Sequence, residues 1–138
     1  MSKVNLYSNI RDINSQHQTD LIDVLNKIKD GFWKEPVERY RNIRDAYGKG
    51  DSRETEAKKA LPYFTPSGTF EQRGNDKLID HSGFVGVDID LKGNPSLKNT
   101  NGFLEIRDKI INDKYTYACF ASASGKGFCV ILQIEPEE

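Results

Sequence analysis

The densest chemistry in this sequence lies in Val85-Gly86-Val87-Asp88-Ile89-Asp90-Leu91. Side chains alternate along an extended strand. Val85, Val87, Ile89 and Leu91 therefore share one face, and Asp88 and Asp90 share the other with Phe84 and Gly86. The two carboxylates then stand roughly 7 Å apart at Cα. Like charges so placed repel, and desolvation adds to the cost. A divalent cation removes both problems. Hard oxygen ligands with positions left over for phosphate favour magnesium or manganese over zinc. Asp88 and Asp90 are thus candidate metal ligands, although the pair alone equally suits a half-exposed strand end in water.

A second feature is Ser122-Ala123-Ser124-Gly125-Lys126-Gly127, set between two strand-like runs. Closely spaced glycines free backbone N–H groups to face an anion, Lys126 adds a mobile positive charge, and Ser122 and Ser124 offer hydroxyls. With Gly125 and Gly127, these are candidate contacts to nucleotide phosphates. The spacing is not that of a P-loop, and no helix follows to receive phosphates. An ordinary hairpin is the alternative reading. One helix and one strand separate this turn from the aspartates. In a sheet domain that order sets an anion-binding turn beside a metal-binding strand, which suits a nucleoside triphosphate with its metal and predicts one shared cleft.

Other residues carry less. His81, in Asp80-His81-Ser82-Gly83, precedes the aspartates closely enough to be a further nucleotide-binding candidate; loop packing or capping is the alternative. His17 reads as a surface residue. Cys119 and Cys129 read as small hydrophobes near each other on the last two strands. The chain has only two histidines, and neither sits in a nucleophile motif.

The elements that must hold these groups change character along the chain. Val4, Leu6, Ile10 and Ile13 allow one marginal strand. Ser15 with Gln18 reads as a capping box. Leu21, Val24, Leu25 and Ile28 then fall on one helical face that ends at Gly31. Phe32 and Trp33 are expected to pack as core anchors. A second helix opens at Pro36, carries Val37, Tyr40, Ile43 and Tyr47, and closes at Gly48-Lys49-Gly50. Asp51 with Glu54 begins a short polar helix that Pro62 stops, exposing Lys58 and Lys59. Beyond it lie a turn-rich stretch with buried aromatics (61–70), a strand over about 83–91, and a helix bearing Leu104, Ile106, Ile110 and Ile111. Strands over 115–121 and 128–134 follow. The expected class is α+β, with a helical N-terminal part packed on a mixed or antiparallel sheet. Residues 1–60 form the mainly helical part, 61–134 the sheet core and 135–138 an acidic tail.

Composition sets the outer bounds. The chain has 138 residues, 36% of them hydrophobic and 30% charged, with a net charge of -1. One domain with a real core is the expectation at this length. No stretch approaches the ~18 apolar residues needed to cross a bilayer, and no apolar signal segment opens the chain. Two cysteines make neither a disulfide framework nor a thiolate zinc cluster, so a cytoplasmic protein is expected. A slight basic excess up to Leu61 gives way to an acidic excess beyond it. A general polyanion binder is usually more basic than this, while local basic patches leave room for a specific nucleic-acid site.

Four motifs in order carry a resemblance: Leu61-Pro62-x-x-Thr65-x-Ser67-Gly68-Thr69-Phe70, His81-Ser82-Gly83, Asp88-Ile89-Asp90, and Phe120-x-Ser122-x-Ser124-Gly125-Lys126-Gly127. Over about residues 58–134 the chain resembles the N-terminal domain of virulence-associated E (VirE) proteins, itself similar to the archaeo-eukaryotic primase and primase-polymerase superfamily. The resemblance implies a primase-polymerase-like fold and a DNA primase type of nucleotidyl transfer in the replication of a mobile element or phage. Asp88 and Asp90 would hold Mg or Mn, and Lys126 would neutralise the β- and γ-phosphates. That superfamily usually offers a histidine to the phosphates after the glycine turn; here the matching position is Cys129, which has no cationic imidazole. A third carboxylate is expected on a strand beyond Ile134, so the sheet reads as truncated at its C-terminus. The sequence looks like a piece of a longer protein, often one with a helicase domain, or a shortened one. Binding of a nucleoside triphosphate, with DNA as a further partner, is the expectation rather than polymerisation by this chain. A catalytically inactive nucleic-acid-binding or protein-interaction module of the same fold is the alternative. Oligomeric state is not legible.

Overall fold

Short strands and amphipathic helices alternate in a computed structural model that describes residues 2–14, 17–90 and 92–134. The order is β1 (Lys3–Tyr7), β2 (Gln18–Asp20), α1 (Leu21–Lys29), α2 (Lys34–Tyr47), α3 (Ser52–Lys59), β3 (Tyr63–Phe64), β4 (Gly68–Phe70), β5 (Leu78–His81), β6 (Phe84–Ile89), α4 (Thr100–Ile111), β7 (Thr116–Ala121) and β8 (Phe128–Gln133). Every pairing is antiparallel, and the class is α+β as expected. None of the described helices is long and apolar enough to cross a membrane. Two compact units result, Met1–Ser82 and Gly83–Glu138.

In the first unit β1 is central, with β2 on one side and β3 on the other. Its core is Val4, Tyr7, Leu21, Val24 and Tyr40, so the alternation read around Val4 marks a real strand. The cap expected at Ser15 lies outside the described residues. The helix itself starts only at Leu21, because Gln18, Thr19 and Asp20 pair with Asn5, Val4 and Lys3. Asp51 does cap α3, accepting from Arg53 N–H at 2.9 Å, while Glu54 reaches back to Gly50 N–H at 3.2 Å.

The turn-rich stretch becomes a lock built on β1. The buried Asn5 accepts from Phe70 N–H through its side chain at 2.6 Å, and its own N–H donates to the Thr65 hydroxyl at 3.2 Å. Thr65 in turn donates to the Gly68 carbonyl, and Ser82 N–H donates to Ser67 O at 2.7 Å. Gly68 sits opposite His81, where any Cβ would collide with the Asp80 carbonyl. These motif residues fold the chain; they do not present free chemical groups.

Phe32 and Trp33 depart from expectation. Phe32 is 65% exposed and Trp33 half-buried, so neither anchors the core. Helix α1 ends in a Schellman turn: Gly31 N–H donates to Ile28 O, Phe32 N–H to Lys27 O, and Gly31 has φ +79°. That reversal sends Phe32 away from the face carrying Leu21 and Val24.

The second unit is a three-stranded sheet of order β6-β8-β7 with α4 on one face. Phe103, Ile106 and Ile110 of α4 pack on Ile89, Phe128, Val130, Leu132 and Cys119. Leu104 and Ile111, expected on the apolar face, are exposed; Phe103 belongs there instead, at i, i+3, i+7 spacing. Asn99 caps the helix, accepting from Gly102 N–H at 2.6 Å.

Candidate functional site

Strand register determines which groups meet. Cross-strand partners share a sheet face, and Asp88 lies opposite Cys129, which lies opposite Phe120. Cys119 pairs with Val130, one residue out of step, so it faces α4 while Cys129 faces away. The two cysteines occupy neighbouring strands but opposite faces, and both are free thiols. Parity rather than distance separates them.

Asp88 projects from the face of β6 opposite α4 and is exposed. The Cys129 thiol donates to its carboxylate at 3.4 Å. Burial, then the Asp88 charge and this hydrogen bond, push the Cys129 thiol up to about 12. Cys129 is therefore a protonated donor at neutral pH. It donates a hydrogen bond to Asp88 and stays neutral.

Asp90 is not in the strand. The ladder ends at the Ile89–Phe128 pair, and Asp90 opens a turn in which its Oδ1 accepts from Gly93 N–H at 3.1 Å. Asn94 donates to the Asp90 carbonyl at 3.1 Å. The expected strand to residue 91 thus stops two residues early, and Leu91 lies outside the described residues. The β6–β8 register would set Gly127 opposite Asp90, but Gly127 N–H donates to Ser122 Oγ and its carbonyl accepts from Ser122 N–H, so the ladder does not continue. Gly127 nonetheless packs so closely that a Cβ would collide with the Ile89 carbonyl. Gly93 and Asn94 position Asp90, and sequence reading missed both; the signal was the Asp-x-x-Gly spacing of an Asx-type turn.

The glycine turn does come to the aspartate strand, through this same Gly127 contact. Its amides, however, are largely spent within the turn. Gly125 N–H donates to Ser122 O at 2.8 Å, Lys126 N–H to Ser124 Oγ at 3.2 Å, and Gly127 N–H to Ser122 Oγ at 3.2 Å. The two serine hydroxyls lie 3.3 Å apart. Gly125 takes φ +75°, which makes the tight reversal possible. The serines shape the loop, and Lys126 is its exposed cation.

His81 belongs to the first unit, at the end of β5, where it lines a polar cavity of about 540 Å³ with Lys3, Thr69, Asp80 and Ser82. For a metal, the available donors are the exposed Asp88 and Asp90, both hard oxygen ligands. Among the described residues no three histidine, cysteine or acidic side chains cluster in a way that could hold an ion. Each carboxylate has one oxygen already engaged, Asp88 with the Cys129 thiol and Asp90 with Gly93 N–H.

Comparison with known proteins agrees with this second unit and the lock before it. No curated protein and no solved structure matches the chain. The family model described as BT4734-like, N-terminal domain matches residues 56–138, from within α3 through the glycine turn and β8. The chain belongs to the BT4734-like N-terminal domain family.

Proposed function

We propose that this chain is a primase-polymerase-like module that binds a nucleoside triphosphate with magnesium or manganese at the Asp88–Asp90 strand end. One observation carries the reading: Gly127 packs directly on the backbone of Ile89 and Asp90, so the loop bearing Lys126 begins beside the strand end that bears the aspartates. The likeness of its four motifs to VirE N-terminal domains and primase-polymerases supports the same chemistry. A bound divalent cation would supply charge neutralisation for the triphosphate. Asp88 and Asp90 would be its protein ligands. Lys126 would approach the outer phosphates, and the Gly93 and Asn94 contacts would keep Asp90 oriented.

Two features favour binding over turnover. By the motif likeness Cys129 takes the position of the phosphate-binding histidine, and the turn amides already have partners. These same features are what an inactive nucleic-acid-binding or protein-interaction relative would show. In a longer protein the module would serve nucleotidyl transfer in replication of a mobile element or phage, beside a helicase domain.

Calorimetric titration with a nucleoside triphosphate, with and without manganese, tests the proposal. Binding should require manganese and be lost in Asp88→Asn with Asp90→Asn, and Cys129→His should tighten it several-fold. A folded protein that takes up no nucleotide under either condition would overturn the reading in favour of the inactive module.

A further inference from the structure

Strand β6 lies at the rim of the β6-β8-β7 sheet, and its outer edge is open. Ile134 N–H donates to Gly83 O, so the odd-numbered residues of β6 turn their backbone groups toward β8. The even-numbered ones turn theirs outward. Among the described residues, the N–H and C=O groups of Gly86 and Asp88 bond to no other strand. Gly86, Val87 and Asp88 are exposed in succession, Val87 by 41%, so both faces are open at mid-strand as well as the edge. Helix α4 packs toward β7 and leaves Val87 uncovered on the face they share.

Sheet edges of this length normally carry a guard against pairing, such as a lysine, a proline or a bulge. Here Phe84–Ile89 holds no Lys, Arg or Pro, and its register with β8 runs through without a shift. The edge also matches itself when read in the antiparallel sense. Its outward groups allow Gly86 to pair with Asp88 of a second copy, and Asp88 with Gly86 of that copy. Val87 then meets Val87 of the second copy, and Val85 meets Ile89. Each apolar side chain faces an apolar one, and each carboxylate faces a glycine. An unrelated strand would gain the backbone bonds without that match of side chains. A net charge of -1 sets little repulsion between copies.

From this self-matching open edge we infer that β6 pairs with β6 of a second copy of this chain, about a two-fold axis at Val87. Two three-stranded sheets then become one of six strands. The pairing uses the backbone of Asp88 and leaves its side chain on the face opposite α4. One strand pair buries less than the about 1,200 Å² of a standard interface, so the dimer is reversible and follows concentration.

Sedimentation velocity across a range of protein concentrations, without nucleotide or metal, should show a monomer–dimer equilibrium; the result is therefore independent of the nucleotide reading. Val87→Lys sets two like charges against each other and should raise the concentration for half-dimerisation on the order of tenfold. Circular dichroism should show that variant folded, since residue 87 is exposed. Register is read by disulfide trapping. Val87→Cys brings two thiols together at a non-hydrogen-bonded pair, about 4.5 Å apart at Cα, and mild oxidation should link the copies. Val85→Cys lies on the same face but opposite Ile89 of the second copy, and should link no more than the native chain treated in parallel. Three results would overturn the inference: a folded native protein that stays monomeric at every concentration, a dimer that Val87→Lys leaves untouched, or linking by Val85→Cys as fast as by Val87→Cys.

Discussion

Cys129 hands a hydrogen bond across the β6–β8 ladder to Asp88, sulfur to oxygen at 3.4 Å. The contact ties a thiol that holds its proton to the one candidate carboxylate that projects from the sheet. Each group alters the other's use. Asp88 has one carboxylate oxygen occupied by a thiol donor, and Cys129 has a charge beside it that opposes ionisation.

Cysteine reactivity should follow from that pair. With its thiol pushed up to about 12, Cys129 is ionised to roughly one part in ten thousand at pH 8. Burial also raises Cys119. Both should alkylate slowly with iodoacetamide at pH 8. Asp88→Asn should speed labelling of Cys129 several-fold and leave Cys119 unchanged, as peptide mass spectrometry would resolve. Equal acceleration at both cysteines would mean general loosening and no specific coupling.

The junction of the glycine turn with the aspartate strand should be sterically unforgiving. Gly127→Ala places a methyl against the Ile89 carbonyl and should cost about 1–3 kcal/mol in urea unfolding. Gly93→Ala is the control, because its Cβ would stand 3.8 Å from Asp90 Oδ1, an ordinary contact. Similar losses for the two would remove Gly127 from its place as the spacer between turn and strand.

Acid should weaken the first unit through Glu54. This carboxyl is buried, accepts from Tyr40 O–H at 2.9 Å, and is held below the usual carboxylate range chiefly by that bond. A depressed folded pKa means the unfolded chain takes the proton more readily. The stabilisation is therefore complete above the unfolded value and is lost as pH falls through it toward the folded one. Tyr40→Phe should cost about 2 kcal/mol at pH 7. The difference from the native protein should shrink by pH 3; a constant difference across that range would contradict the account.

Local pattern sufficed for much of this protein. The apolar spacing of Leu21, Val24 and Ile28, the Asp51–Glu54 cap and the alternation of Val85, Val87 and Ile89 are each written within a few residues, at the range where helix and strand periodicity act. So the α+β class, the four helices, the strands β1, β6, β7 and β8, and the motifs of the candidate site were legible, while the short strands β2 to β5 were not. Chain order suggested the glycine turn near the aspartates, but it is the sheet order β6-β8-β7, with β8 central, that brings Gly127 onto Ile89 and Asp90.

What tertiary structure decided was parity, termination and exposure. Whether Cys129 or Cys119 meets Asp88 depends on a ladder register that no single strand encodes. Asp90 left the strand because Gly127, its partner by register 37 residues later, spends its backbone groups on Ser122 within the turn. Phe32 points outward because a Schellman turn, whose hydrogen bonds set direction and not hydrophobicity, ends α1 one residue before it. In each case the outcome rests on a contact or a direction in space, and composition and periodicity carry neither.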